Sequence, residues 1–466
     1  MPEPVTFLSR AEALVGTHEA DAIENGARTL LKKRDAVVSD FPIMEELRDR
    51  ARAIRLHALN NLDRLLAHFA DRVEEQGGVV HFAADAEEAR SIVASILEET
   101  SSKLVVKSKS MVSEEIELND YLDARGVEVV ETDLGEYIIQ LAGDTPSHII
   151  APVLHMTRQD VGTLFEDKLG VAYTDDPTEL NQIARDHLRE QFLRADAGIS
   201  GVNMAIAETG SVTIVTNEGN GRLTTTAPRV HIALMGMERI VSRWEDAAVV
   251  LEVLAKSATG QRLSVYTNVI TGPRRETDND GPEQVHVVII DNGRSDILGG
   301  DTAEILACIR CGACLNICPV FRSVGGHAYG TVYSGPVGSV VTPGLLGMEP
   351  WWELPYASTL CGACEEVCPI RIQIPSMLLN LRQQAASEGR LPSWLEKGMA
   401  RYASTATSPE KWRRAKKWAS WLTAPISSRG WIRRIPGPGR GWTDHRDFPR
   451  PSNQSFAEWW RTNRGP

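Results

Sequence analysis

The chain has 466 residues, 42% hydrophobic and 24% charged, with a net charge of −12, which is ordinary for a globular protein of two or three domains. No stretch of about 18 apolar residues occurs, and the N-terminus does not read as a signal peptide, so neither a membrane-spanning helix nor secretion is expected. All seven cysteines lie between Cys308 and Cys368. An odd, clustered set argues against a disulfide framework and predicts metal ligation in the reducing cytoplasm.

Residues 1–69 are predicted to be helical. Apolar residues recur at steps of three and four from Ile43 to Val73, which is typical of one long amphipathic helix, and Gly77 and Gly78 would end it. Most such stripes pack against the core of their own domain, and partner binding is the less common alternative.

Residues 70–295 are predicted to form an α/β domain, because short apolar runs alternate with single helices. Asp85 and Ser113 are expected to cap two of these helices. This order implies βαβ units and a largely parallel sheet with helices on both faces. The predicted strands are 79–82, 103–107, 127–130, 148–151, 204–207, 212–216, 231–235 and 285–290.

Two segments of this domain suggest a site for an anion. Residues 106–115 (VKSKSMVSEE) place Lys107 and Lys109 between a strand end and a helix start, where a carboxylate or phosphate could bind. Glycines in residues 198–211 (GISGVNMAIAETGS) allow a close approach of the backbone. Turn and capping chemistry explains both segments equally well, and no dinucleotide-binding or P-loop motif is present.

Two cysteine runs carry the clearest chemical signal. The first is Cys308-x2-Cys311-x2-Cys314-x3-Cys318-Pro319, and the second is Cys361-x2-Cys364-x3-Cys368-Pro369. The first matches the run of bacterial ferredoxins, in which the last cysteine ligates the other cluster. We therefore predict two [4Fe–4S] clusters within residues 300–390 that exchange their last cysteines.

The predicted ligands form two sets. Cluster 1 would take Cys308, Cys311, Cys314 and Cys368, and cluster 2 would take Cys318, Cys361 and Cys364. Three residues before Cys361, the full pattern has a cysteine and this chain has Ser358. Ser358 could supply an alkoxide, one iron could stay open, or cluster 2 could be [3Fe–4S]. Zinc is the alternative metal, but seven cysteines in two such runs fit neither one zinc nor two.

Residues 391–466 differ in composition from the rest of the chain. They hold 15 Lys/Arg, 5 Asp/Glu and eight of the eleven tryptophans, and their charge of +10 leaves −22 for the remainder. Such a segment could dock to an acidic partner or to an anionic membrane surface, or it could cover the acidic body of its own chain. No nucleic-acid partner is expected.

Five segments together resemble the lactate utilisation protein B family: VKSKSMVSEEI, GISGVNMAIAETGS, CIRCGACLNICPV, GGHAYGTVYSGPVG and LPYASTLCGACEEVCPI. The resemblance implies an α/β LUD domain of the NagB/RpiA/CoA-transferase-like type. A mostly α-helical ferredoxin-like domain with two clusters and a family-specific C-terminal region would follow it. A serine at the position of Ser358 is also part of the family pattern.

The resemblance further implies an electron-transfer subunit for the oxidation of L-lactate to pyruvate. The expected partners are a second iron–sulfur, cysteine-rich subunit and a smaller LUD subunit, in the cytoplasm, where partners could also bring the protein to a membrane. The alternative is a complete enzyme that oxidises a 2-hydroxy acid in its LUD domain. Glu208 is the catalytic candidate by analogy with the glutamate of CoA transferases, although a strand-end residue that bonds nearby backbone is more common; His155 or His231 could act as a base.

Overall fold

The computed structural model describes residues 6–443 and 446–464, without the side chains of residues 438 and 439. The chain divides into a large unit, Met1–Gln384, and a C-terminal unit, Ala385–Pro466. Among the described residues, no helix is both long and apolar enough to cross a bilayer.

Helices open the large unit: α1 (Phe7–Leu14), α2 (His18–Ser39), α3 (Met44–Asn60) and α4 (Leu62–Glu75). The single long helix predicted up to Val73 is therefore two helices. The backbone at Asn61 leaves the helical region, with φ −130° and ψ 26°, and separates α3 from α4. The boundary predicted between residues 69 and 70 falls inside α4.

The strands of the α/β region are β1 (Val79–Ala83), β2 (Leu104–Lys107), β3 (Glu128–Glu131), β4 (Ala197–Gly201), β5 (Met204–Ile206), β6 (Ser211–Thr216), β7 (Val230–Gly236), β8 (Ile240–Val241), β9 (Tyr266–Ile270) and β10 (Gln284–Ile290). One sheet has six strands in the order β1-β10-β7-β4-β2-β3. Every pair in it is parallel, as the alternation of strands and helices predicted. The remaining strands form a mixed sheet, β8-β5-β6-β9, which the sequence pattern did not indicate.

The accompanying helices are α5 (Ala86–Glu99), α6 (Met111–Glu115), α7 (Leu118–Asp123), α8 (Leu134–Ala142), α9 (Arg158–Leu169), α10 (Pro177–Arg194), α11 (Asn220–Thr226), α12 (Trp244–Thr259) and α13 (Arg294–Leu298). Helices α5 to α7 pack on one face of the parallel sheet, and α8 to α10 pack on the other. Neighbouring side chains of a strand point to opposite faces, so Val105 and Val106 enter two different hydrophobic clusters.

Of the two predicted helix caps, Asp85 is confirmed and Ser113 is not. The Asp85 carboxylate accepts a hydrogen bond from the backbone N–H of Glu88 at 2.9 Å and caps α5. Ser110, rather than Ser113, caps α6, because the backbone N–H of Ser113 donates to Ser110 Oγ at 3.2 Å. The Ser113 hydroxyl instead accepts a hydrogen bond from Lys107 Nζ at 2.8 Å.

The strand predicted at residues 148–151 does not form, since residues 147–150 make a bend. His148 Nδ1 accepts hydrogen bonds from the backbone N–H groups of Ile150 and Ala151 at 3.1 and 3.2 Å, which takes the place of strand pairing. Strand β4, in contrast, lies inside the sheet although its glycines predicted only a close approach. A Cβ at Gly198 would lie 1.8 Å from the carbonyl oxygen of Thr224, so this strand needs glycine there.

Beyond β10 the large unit is helical, and residues 291–384 contain no strand. The elements are α14 (Ala313–Ile317), α15 (Pro319–Val324), α16 (Gly335–Leu346), α17 (Met348–Trp351) and α18 (Ala363–Val367), with short 3-10 turns at Ala303–Ala307, His327–Tyr329 and Leu354–Tyr356. Helix α19 (Ile374–Ser387) continues past Gln384, where the large unit ends. The C-terminal unit has α20 (Ser393–Ala406), α21 (Pro409–Thr423) and α22 (Phe456–Arg464), with an antiparallel pair, β11 (Trp431–Ile432) and β12 (Phe448–Pro449). The assignment of the α/β region to the NagB/RpiA/CoA-transferase-like type stays a prediction.

Candidate metal centre

The two cysteine runs fold into loops with the same backbone. Arg310 and Leu360, each just before the C-G-A-C segment of its run, have φ values of +57° and +54°. Gly312 and Gly362 follow with +73° and +84°. Left-handed residues at equal positions turn each chain sharply before α14 and α18, so that closely spaced cysteines can face one centre.

Cys368 lies with the first three cysteines of the first run, although it belongs to the second run. Burial raises the pKa of Cys311, and the neighbouring thiols of Cys368 and Cys308 raise it further. Burial likewise raises the pKa of Cys314, which has Cys308, Cys311 and Cys368 among its neighbours. Burial also raises the pKa of Cys368, to about 11. This is the grouping predicted for cluster 1.

The other three cysteines form a second group. Burial raises the pKa of Cys318, whose neighbouring thiol is that of Cys361. Burial raises the pKa of Cys364 to about 12, with further contributions from Cys318 and Cys361. Cys364 also neighbours Cys314, so the two groups adjoin. The grouping fits the crossed assignment, while ligation by each residue stays a prediction.

The chemistry of these thiols suits iron. None of the seven cysteines is in a disulfide. Buried thiols with raised pKa values stay protonated at neutral pH unless a nearby cation offsets the charge of the thiolate. Iron would supply that positive charge, and thiolates are the ligands that a cubane cluster needs. Cys361 differs because it is exposed, and a hydrogen bond from Thr359 lowers its pKa.

Ser358 occupies the position in its loop that Cys308 occupies in the other. The backbone N–H of Arg310 donates to Cys308 Sγ at 3.3 Å, and the backbone N–H of Leu360 donates to Ser358 Oγ at 3.1 Å. Arg382 donates to the Ser358 carbonyl at 3.0 Å and fixes the start of the loop. The serine oxygen therefore takes the position in its loop that Cys308 Sγ takes in the first loop.

Three arginines on one face of α3 hold the backbone of both cysteine runs. Arg48 donates to the Cys368 carbonyl at 2.8 Å, and Arg52 donates to the Arg371 carbonyl at 2.7 Å. Arg55 donates to the two carbonyl groups just before the first cysteine, each at 3.2 Å. Sequence reasoning missed these residues, although their spacing of four and three along an apolar helix face was a usable signal.

A buried group of arginines and carboxylates lies beside the first run. Glu238 lies 2.7 Å from Arg294, 3.8 Å from Arg239 and 4.0 Å from Arg310, and Arg294 also pairs with Glu115 at 2.7 Å. Although burial raises the pKa of Glu238, the three arginines lower it to about 2. Three cations share two carboxylates, so positive charge is in excess near the site of cluster 1.

The two lysines predicted to hold an anion have different surroundings. Lys107 is fully buried, and its Nζ lies 2.8 Å from Glu114 and 2.6 Å from Glu131. Because these carboxylates already satisfy its charge, the prediction is wrong for Lys107. Lys109 instead lines a cavity at the edge of the parallel sheet and lies 3.2 Å from Glu136.

The structure gives none of the three catalytic candidates a position on that cavity. Glu208 is exposed and accepts a hydrogen bond from the backbone N–H of Trp244, at the start of α12, at 3.3 Å. This is the bonding to nearby backbone that is the more common role of a strand-end residue. His231 is buried, and its Nε2 lies 2.8 Å from Ser200 Oγ. His155 bonds a neighbouring serine hydroxyl at 2.8 Å.

Family models match three successive parts of the chain. The LUD domain matches residues 66–290, the 4Fe-4S dicluster domain matches residues 304–372, and the model described as lactate utilisation protein B, C-terminal, matches residues 383–464. The dicluster match spans all seven cysteines, so the large unit carries an iron–sulfur domain.

Curated relatives match nearly the whole chain. Lactate utilization protein B of Bacillus licheniformis is 46% identical and covers 95% of this chain and 93% of its own. The Geobacillus kaustophilus protein of that name is 47% identical and covers 92% and 91%. A crystal structure of a DUF162 family protein from Deinococcus radiodurans covers 49% of this chain and 98% of its own at 16% identity, with a TM-score of 0.28, too low to establish a shared fold. The chain therefore belongs to the lactate utilization protein B family, as its five segments predicted.

Proposed function

We propose that the protein carries electrons in the oxidation of L-lactate to pyruvate, through two [4Fe–4S] clusters in its large unit. The observation that carries this proposal is the grouping of the thiols into two adjoining sets. Two adjoining one-electron centres make a relay. They do not break a C–H bond, so the chemical step on lactate takes place elsewhere.

The proposed partners are a second iron–sulfur, cysteine-rich subunit and a smaller LUD subunit, in the cytoplasm. Oxidation of one lactate to pyruvate releases two electrons and two protons. A pair of clusters can store both electrons, one on each, before passing them on. The names of the relatives support lactate as the substrate of the assembly.

Anaerobic mixing of the assembled complex with L-lactate tests this role. The visible absorbance of the oxidised clusters is expected to bleach in the complex and to persist in the isolated chain with the same iron content. Bleaching of the isolated chain at the rate of the complex would favour the alternative, a complete enzyme with its site in the LUD domain. A complex that holds full iron and shows no bleaching would contradict the proposal.

We also propose that Ser358 occupies the fourth ligand position of cluster 2. Ser358→Cys is expected to place a thiolate there and slow the loss of iron in air, whereas Ser358→Ala would leave one iron open and hasten it. The loss is measured by EPR at set times of exposure to air, through the three-iron signal that a damaged cluster gives. Ser39→Cys, which adds a thiol at an exposed position of α2, should behave like the wild type. Equal decay in both Ser358 variants would contradict the assignment.

The C-terminal unit has the surface that docking to an acidic partner requires. All eight of its tryptophans are exposed, and the exposed basic residues of α21 are Lys411, Arg413, Arg414 and Lys417. We propose that this unit docks to partner subunits. Replacing those four residues with glutamate in the full chain is expected to weaken assembly at least tenfold, because attraction becomes repulsion.

Sedimentation of the reconstituted complex at two salt concentrations measures this effect. Lys32→Glu with Lys33→Glu, on an exposed part of α2, is the charge-reversal control and should leave assembly and iron content unchanged. Normal assembly of the α21 variant would contradict docking to a protein. If the α21 variant assembles normally but no longer binds anionic vesicles, the unit docks to a membrane surface instead.

A further inference from the structure

A cavity of about 440 Å³ lies at the carboxyl ends of β2 and β4. Ser108 and Lys109 follow β2, Asn203 follows β4, and Arg310 reaches the cavity from the first cysteine loop. Ligands of open α/β sheets bind at this edge, and sites for small molecules have volumes of about 300–1,000 Å³. The position and size of the cavity both suit a small ligand beside cluster 1.

Three residues that line the cavity each have a buried polar atom with no hydrogen-bond partner among the described residues: Ser108 Oγ, Lys109 Nζ and Arg310 Nη1. Ser108 is 4% exposed and Arg310 is 7% exposed. Buried polar groups are nearly always hydrogen-bonded, because burial without a partner is costly. Three such donors on residues around one cavity favour a ligand that accepts hydrogen bonds, and two of them are cations.

The charges around the cavity also favour an anion. Glu136 lies 3.2 Å from Lys109 Nζ without the alignment of a hydrogen bond, and Glu238 is shared by Arg239, Arg310 and a third arginine. The cavity also has carboxyl groups, those of Asp133 and Glu218. Burial, and then Asp133, raises the pKa of Glu218 to about 7, so this carboxyl is partly neutral at physiological pH.

We propose that this cavity binds a short organic acid of the 2-hydroxy or 2-oxo class, with its carboxylate held by Lys109, Arg239 and Arg310. The anion site rests on the geometry, whereas the choice of acid rests on the proposed function. Apolar lining residues such as Ile138, Ile149 and Val202 suit the carbon chain of the acid. Ser108 is placed to donate to an oxygen of the ligand.

Arg310 links the cavity to the site of cluster 1. Its backbone N–H donates to Cys308 Sγ at 3.3 Å, and its guanidinium lies 4.4 Å from the ring of Tyr333. A bound carboxylate would offset part of the positive charge near Cys308, and added electrons would then be less stable on the cluster. Occupancy of the cavity should therefore lower the reduction potential of cluster 1.

Anaerobic calorimetry on the full chain tests the proposal with L-lactate, pyruvate and inorganic phosphate. Lys109→Gln is expected to weaken binding of pyruvate or lactate at least tenfold with unchanged iron content, and Arg239→Gln is expected to weaken it by a similar factor. The matched controls Lys103→Gln and Arg243→Gln, both exposed, should bind like the wild type. Lys109→Gln is preferred to a change at Arg310, which lies inside the cysteine loop.

An EPR-monitored titration gives the second readout, since saturating pyruvate should lower the potential of cluster 1 in the wild type and not in Lys109→Gln. Phosphate binding as tightly as either acid, or equal binding in variants and controls, would overturn the inference. Lack of acid binding in a complex that lactate still reduces would reject this site alone. Binding in a complex that lactate fails to reduce would reject the electron-transfer role alone.

Discussion

Replacing Cys318 with alanine is expected to destroy cluster 2 and to spare cluster 1, although Cys318 follows three cluster 1 cysteines in the sequence. In the structure its thiol neighbours those of Cys361 and Cys364. Iron content should fall by about half, because one of two cubane clusters is lost. Cys368→Ala should do the reverse and remove cluster 1, whose other thiols surround Cys368.

EPR and Mössbauer spectra of anaerobically prepared variants measure this effect. Cys361→Ala serves as the matched control and should lose the same signals as Cys318→Ala. The conservative variant Cys318→Ser tests whether the loss comes from the ligand atom and not from misfolding. If Cys318→Ala instead loses the signals that Cys308→Ala loses, the crossed assignment is wrong.

Arg294→Met is expected to lower the free energy of unfolding of the large unit by about 3–5 kcal/mol, because it leaves two buried carboxylates without their main cation. The Arg294 side chain is 1% exposed and pairs with Glu115 and Glu238, each at 2.7 Å. Methionine fills similar space, so lost charge pairing, and not a cavity, would dominate the effect.

Anaerobic thermal unfolding measures the loss, with Arg243→Met as the control. The Arg243 side chain is 64% exposed, so its loss should change stability by no more than about 0.5 kcal/mol. Arg294→Lys keeps the charge and should recover part of the stability. Equal midpoints for Arg294→Met and Arg243→Met would show that the buried pairs contribute little.

The difference in unfolding free energy between Arg294→Met and the wild type should depend on pH in one direction. The folded pKa of Glu238 is about 2, below the unfolded value of about 4.3, so its pairing stabilises the fold above pH 4.3 and is lost as the pH falls toward 2. In Arg294→Met the pKa of Glu238 rises and the neutral carboxyl tolerates burial. The gap between variant and wild type should therefore narrow as the pH is lowered through this window.

The strands that sequence reasoning found are those with continuous apolar runs, such as β7 and β10. It did not assign β4 as a strand, because the glycines of β4 are a usual sign of a turn. In the structure, Gly198 instead allows the close approach of Thr224 in α11. It also predicted a strand at His148, whose ring satisfies the local backbone instead of a neighbouring strand. Both differences depend on contacts between distant parts of the chain.

The candidate site was likewise predictable where it depends on local sequence and not where it depends on distant contacts. The spacing of the cysteines is local, so the sequence was enough to predict the two runs. Lys107 and Lys109 could not be told apart, because the parallel register that sets Lys107 opposite Glu131 depends on how β2 pairs with β3. Both segments predicted to hold an anion line the cavity, but Arg239 and Arg310 could not be assigned to it, because they come from segments far apart in sequence.

An EPR-monitored redox titration of the intact, anaerobically purified chain tests the central claim, a relay of two adjoining iron–sulfur clusters. We expect two one-electron reductions per chain with spectra of magnetically interacting centres. The centre near Arg239, which donates to the Cys308 carbonyl at 3.4 Å, should have the higher potential. A chain that holds zinc in place of iron, or that takes up one electron at a single isolated centre, would contradict the account.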